Sequence, residues 1–160
     1  ETVDAAADSL GINFGPAKAD MIWTSKGPMI LEMPARLSGG FHSQYTTPLS
    51  SGQNPIRAVM ELALGCDLDE TLIQVTKPLT SICAGIFPPK GILKAIHGVK
   101  EAYEIEGVEK IIINKKVGDF IEDYVDNGFR FCWVIAVGKS KKHAYEVVEL
   151  AKNTIKFEVY

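Results

Sequence analysis

Two carboxylates occupy positions where an apolar residue is expected. Asp20 interrupts the apolar run at residues 17–23, and Glu32 interrupts the run at residues 28–33, with a turn signal at residues 25–27 between them. In a β-hairpin built on that turn, residues equally far from it pair across the strands about 5 Å apart. Two like charges at that distance repel each other unless a cation lies between them. Mg²⁺ is commonly bound by one or two carboxylates together with substrate phosphates, so the pair predicts a magnesium–nucleotide site.

Groups that can bind an anion follow the second carboxylate. Arg36 comes four residues after Glu32, and its guanidinium presents several fixed donors to phosphate or carboxylate oxygens. The next segment, Ser38 to Gly40, leads into a predicted helix start at residues 41–44, where free backbone N–H groups can bind an anion. This order of groups favours phosphoryl chemistry on an anionic substrate. Isolated acidic residues on the wet face of a hairpin are the alternative interpretation.

The composition narrows the class of protein. Of 160 residues, 46% are hydrophobic and 23% charged, which is typical of a globular protein. The net charge of -3 gives no basic field for nucleic acid, and no apolar run approaches the roughly 20 residues of a membrane span. No signal peptide opens the sequence. Three cysteines, without metal or redox spacing, favour a reducing compartment. We therefore predict a cytoplasmic protein that binds neither nucleic acid nor a membrane.

Local patterns predict an α+β chain. A helix is expected at residues 1–11, followed by the hairpin, and a second helix at residues 55–64 with Asn54 as its cap. From Cys66 onward short strands and helices alternate. The predicted strands are residues 80–87, 91–97, 108–115 and 129–137, and the predicted helices are residues 99–104 and 141–155.

The first residue carries a further expectation. The sequence starts with Glu1, inside the first predicted helix, and no approach loop precedes that helix. We therefore expect the chain to be part of a longer polypeptide. A native protein whose initiator methionine has been removed is the alternative.

Several stretches carry a resemblance to a known superfamily. Residues 15–20, the turn at residues 26–28 and residues 31–40 resemble the C-terminal core of the ATP-grasp superfamily, within its biotin carboxylase-like and carbamoyl phosphate synthase-like branch. That branch includes amino-acid ligases. Residues 52–65 continue the likeness. The second half is similar to the small lobe that follows this core, with matches at residues 91–98, 107–108, 118 and 130–138.

The resemblance implies a fold and a set of roles. Residues 1–65 would be the C-terminal lobe of an ATP-grasp domain, and residues 66–160 a small mixed α/β subdomain. Asp20 and Glu32 would hold Mg²⁺ on the ATP phosphates, and Arg36 would be the catalytic residue that steadies the transferred phosphoryl group. The implied reaction is an ADP-forming ligation of a small-molecule carboxylate to an amine or a thiol through an acyl phosphate. The implied substrate-binding residues are Arg36, Ser38, Gly39 and Gly40.

The sequence departs from the family pattern at the metal site. Pro34 stands where the family usually has an asparagine, so one side-chain oxygen is lost and a second Mg²⁺ is in question. Asp20 replaces the usual glutamate, and Lys18 replaces the histidine two residues before it. The shorter aspartate would require the metal to lie closer to its strand.

The resemblance also implies a missing partner. The nucleotide-binding lobe of the family lies N-terminal to this core, so we expect the isolated chain to turn over no ATP. The surface that faces such a lobe would favour self-association into a homo-oligomer. The rival hypothesis is a non-catalytic, ferredoxin-like regulatory or ligand-binding module in which Asp20 and Glu32 are merely solvated.

Overall fold

The chain forms short helices and strands separated by glycine- and proline-containing turns. A computed structural model describes residues 1–126 and 131–160. Its α-helices are α1 (Thr2–Ser9), α2 (Thr47–Ser51), α3 (Pro55–Ala63), α4 (Val99–Tyr103) and α5 (Lys141–Thr154). Its strands are β1 (Asp20–Thr24), β2 (Gly27–Glu32), β3 (Thr80–Ile86), β4 (Gly91–His97), β5 (Val108–Ile113), β6 (Phe120–Ile121), β7 (Cys132–Gly138) and β8 (Lys156–Val159). The predicted α+β class is confirmed.

These elements divide into two units. The first comprises Glu1–Gln44 and Gln53–Gln74, and the second comprises Tyr45–Gly52 and Val75–Tyr160. The proposed assignment of residues 1–65 to an ATP-grasp core and of residues 66–160 to a small lobe stays a prediction.

The first unit contains the predicted hairpin. Strands β1 and β2 pair antiparallel, and the Thr24 hydroxyl donates to the Gly27 carbonyl across the turn (2.9 Å). The same unit holds α3, which starts where the sequence predicts. The Asn54 side chain accepts a hydrogen bond from the Arg57 backbone N–H (3.1 Å), and Pro55 occupies the first helical turn. The hairpin and the cap of α3 are therefore confirmed, but the turn is one residue shorter than predicted, because Gly27 is already the first residue of β2.

The second unit is built on two antiparallel three-stranded sheets. Their strand orders are β3-β7-β5 and β6-β4-β8. Helix α5 packs on β7 and β3, as its apolar stripe predicts. Fully buried core residues include Leu93, Val134 and Val148. The predicted strand at residues 129–137 corresponds to β7, but Phe129 and Arg130 lie outside the described residues.

The cysteines offer little chemistry, and the helices have no membrane-spanning character in the described part of the chain. Burial of Cys132 in β7 raises the pKa of its thiol to about 12, so the thiol stays protonated at neutral pH and is a poor nucleophile. No disulfide joins the three cysteines, all of which lie in the described part of the chain. Among residues 1–126 and 131–160, no helix has the length and apolar character that crossing a membrane requires.

Candidate functional site

The two carboxylates predicted to form a metal site are cross-strand partners. Asp20 lies opposite Glu32 at the open end of the hairpin, and Met21 lies opposite Ile30. A β-bulge at this point accommodates Leu31, the extra residue of β2. Both carboxylate side chains are exposed, at 51% and 59% of their surface. The pairing predicted from the turn is therefore confirmed, and both groups are accessible to a ligand.

Each carboxylate has its own cationic partner. The Lys18 ammonium lies 2.5 Å from Oδ2 of Asp20, and Nη2 of Arg36 lies 3.8 Å from Oε1 of Glu32. We call these four residues the charged quartet: Lys18, Asp20, Glu32 and Arg36. Its formal charges sum to zero. Lys18 is the one member of the quartet that was not among the predicted site residues. Its spacing of two residues from Asp20 could have indicated it, because side chains two apart on an extended segment point the same way.

One backbone carbonyl joins the main chains of Lys18 and Arg36 at this end of the hairpin. The Pro34 carbonyl accepts a hydrogen bond from the Lys18 N–H (3.1 Å) and one from the Arg36 N–H (2.9 Å). The Arg36 guanidinium also donates to the Leu37 carbonyl (3.0 Å). Pro34 thus supplies no side-chain oxygen, as the sequence indicates, but its carbonyl holds the backbone of both cationic residues of the quartet at this end of the hairpin.

The predicted substrate-binding segment continues into a helical turn. The His42 N–H donates to the Gly39 carbonyl (3.2 Å), and the buried Ser43 hydroxyl donates to the Ser38 carbonyl (2.9 Å). Gly40 has a φ of 65°, a left-handed conformation that favours glycine. A substrate-binding role for Ser38, Gly39 and Gly40 stays a prediction.

The start of that turn differs from the predicted helix. The sequence pattern predicts a helix from residue 41, whereas Phe41 has a φ of 68° and lies outside the helical segment. A π-helical turn, His42–Thr46, takes its place and leads directly into α2. The prediction was wrong here because left-handed backbone at a bulky residue is not indicated by residue type.

The quartet can be tested against the ligand preferences of Mg²⁺. Two opposed carboxylates match its preference for oxygen ligands, with the remaining positions filled by phosphates and water. No group of three or more Asp, Glu, His or Cys residues suited to a metal ion occurs in the described part of the chain. The residues therefore fit an ion that arrives with a polyphosphate, and they do not form an all-protein cage.

Known proteins match the second half of the chain in one comparison and 99% of the chain in another. Residues 85–160 match the family model described as L-amino acid ligase C-terminal domain 2. An uncharacterized protein of Sinorhizobium fredii, y4rH, is 27% identical to this chain over 99% of the chain's length. The chain spans only 33% of the length of that relative.

Solved structures of ligases and synthetases share the fold. The L-amino acid ligase from Bacillus licheniformis has a TM-score of 0.82 at 19% identity, with 99% of this chain and 41% of that chain covered. Phosphoribosylglycinamide synthetase from Anaerococcus prevotii has a TM-score of 0.85 at 16% identity, with 99% and 40% covered. The chain therefore has the fold of the C-terminal portion of an ATP-grasp ligase, and its residues 85–160 are similar to the L-amino acid ligase C-terminal domain 2 family.

Proposed function

We propose that this chain is the metal- and substrate-binding part of an ATP-dependent, ADP-forming ligase that joins a carboxylate to an amine or a thiol. The observation that carries the proposal is the cross-strand pair Asp20–Glu32 with Arg36 beside Glu32. This arrangement occurs in a chain whose fold matches an L-amino acid ligase over 99% of its length. An amino acid is accordingly the substrate class that we favour.

The charged groups have distinct roles in this reaction. Asp20 and Glu32 would hold Mg²⁺, which neutralises phosphate charge when it is bound. The Arg36 guanidinium would bind oxygens of the transferred phosphoryl group through paired N–H donors. A substrate carboxylate oxygen attacks the γ-phosphorus of ATP and ADP leaves. The amine then attacks the acyl carbon, loses a proton and displaces phosphate. Little covalent work falls to the protein, so positioning and charge stabilisation dominate.

The proposal includes a nucleotide-binding lobe as partner. Both strands of the hairpin expose large apolar side chains, and Trp23 is 84% exposed and Leu31 65%. A two-stranded hairpin is at best marginally stable alone in water, so further strands should cover this one. We propose that the lobe that binds the nucleotide provides them. A second copy of the chain is the alternative occupant.

A cytoplasmic location and the biotin carboxylase-like branch also belong to the proposal.

The function can be tested with a fusion protein in which this chain replaces the part of the Bacillus licheniformis ligase that it matches. We expect the fusion protein to release ADP from ATP in the presence of amino acids. We expect the isolated 160-residue chain to release none, because its share of the site contains no nucleotide-binding lobe. A coupled assay for ADP measures both.

Two outcomes would contradict these expectations. ADP release by the isolated chain would show that no further lobe is needed. A folded fusion protein that binds ATP but forms no ADP with any amino acid would favour the non-catalytic module, in which Lys18 and Arg36 simply neutralise two surface carboxylates.

A further inference from the structure

We propose that Lys18 is a built-in counter-cation of the site, which must leave Asp20 before a divalent ion can bind there. A divalent ion would then bind the carboxylates only weakly by itself, and more tightly as a complex with a polyphosphate. The inference rests on the proposed function, since it concerns the same carboxylate pair. It assigns a positioning role to a residue that the metal-site hypothesis does not use.

The Lys18–Asp20 contact is a close pair with a mostly shielded lysine, similar in this respect to Lys152–Glu149 on α5 (2.7 Å). The Lys18 ammonium lies 2.5 Å from the carboxylate, and its side chain is only 22% exposed. The lysines of the other described pairs are 28–87% exposed. A half-buried lysine is held more firmly, and its charge is screened less by water than that of a fully exposed lysine. The Lys18 ammonium is therefore a close and partly shielded competitor for a cation that approaches Asp20.

The backbone prevents Lys18 from moving far from the site. Its N–H donates to the Pro34 carbonyl, which also accepts from the Arg36 N–H. Only the flexible side chain of Lys18 can change partner. When the ammonium leaves Asp20, it therefore remains within reach of ligands bound at the same end of the hairpin.

Charge balance determines which ligand can displace the ammonium. The charged quartet is neutral, so a lone divalent ion at Asp20 gives it two excess positive charges. A metal–polyphosphate complex brings its own negative charge, and the displaced ammonium can donate to phosphate oxygens. Lys18 would thus exchange a carboxylate oxygen for a phosphate oxygen as the metal binds Asp20.

The test measures Mn²⁺ binding to the 160-residue chain, by electron paramagnetic resonance of the free ion. We expect Lys18→Met to bind Mn²⁺ alone about tenfold more tightly than the wild type, because a competing unit charge has been removed. Adding inorganic tripolyphosphate should reduce this difference to less than about threefold. Lys26→Met, in the hairpin turn, is the matched control and should behave as the wild type.

Further variants make each outcome decisive. Asp20→Asn added to Lys18→Met should abolish the gain, and Lys18→Gln should reproduce Lys18→Met if the latter folds poorly. Equal affinities for wild type and Lys18→Met, with Asp20→Asn weakening both, would overturn the role of Lys18 and leave the proposed metal site intact. Binding that is independent of Asp20 in every variant, with and without tripolyphosphate, would overturn both proposals.

Discussion

We expect Arg36→Ala to lower the rate at which the fusion protein forms ADP in the presence of amino acids by about 10²–10³-fold. The backbone N–H of Arg36 donates to the Pro34 carbonyl, and its guanidinium donates to the Leu37 carbonyl and lies beside Glu32. In that position its donors can bind the equatorial oxygens of the transferred phosphoryl group more strongly in the transition state than in the ground state. We expect the loss in kcat, with a small change in the KM for ATP. Arg36→Lys keeps the charge but loses the paired donors, and should recover only part of the rate.

Arg57 provides a matched control for this substitution. It is an exposed arginine of the same unit and forms an ion pair with Glu61 (2.7 Å) on α3. Its backbone N–H, which donates to the capping side chain of Asn54, is retained in Arg57→Ala. We expect Arg57→Ala to keep the wild-type rate within about twofold, as is common for surface substitutions. Equal rates for Arg36→Ala and Arg57→Ala would exclude Arg36 from the phosphoryl-transfer step.

Replacing Leu93 by Ala destabilises the second unit by about 3 kcal/mol, the usual effect of deleting a fully buried leucine side chain. Leu93 lies in β4, the central strand of the sheet β6-β4-β8, and none of its surface is exposed. Its N–H donates to the Asp119 carbonyl, and its carbonyl accepts from the Gly118 N–H. Those backbone bonds persist in the alanine variant, so the measured loss reports the cavity. Urea unfolding followed by Trp133 fluorescence in a Trp23→Phe background measures it.

The adjacent residue of the same strand is the control. Ile92 is 51% exposed, because neighbouring side chains of a strand point to opposite faces. We expect Ile92→Ala to lower the free energy of unfolding by less than about 1 kcal/mol. Equal losses for the two variants would contradict the packing of β4 that the structure shows.

The hairpin shows how far local pattern determines a site. The sequence predicts that Asp20 faces Glu32 across a three-residue turn at residues 25–27. In the structure Thr24 already pairs with Gly27, and the bulge at Leu31 restores the predicted pairing of the two carboxylates. The contribution of Pro34 could not be predicted in the same way. Its carbonyl binds Lys18 and Arg36, and a backbone acceptor leaves no trace in residue type. The bulge at Leu31 is likewise a consequence of packing.

In the second unit, long periodic segments were predicted best. Helix α5 was expected at residues 141–155 and is Lys141–Thr154, because its apolar stripe extends over several turns. Strand β6 has only two residues, Phe120–Ile121, and β8 has four, so neither contains enough alternation to be recognised. Both strands form because they pair with β4, and β4 lies far from them in the sequence.

The position of a divalent ion tests the central claim most directly. We propose crystals of the fusion protein grown with Mn²⁺ and a non-hydrolysable ATP analogue, with the ion located by its anomalous scattering. The account predicts an ion about 2.0–2.3 Å from one oxygen of Asp20 and one of Glu32, bridged to phosphate, with the Lys18 ammonium moved from Asp20 to the phosphates. An ion bound to the phosphates alone, with Lys18 still on Asp20 and Arg36 still beside Glu32, would contradict it.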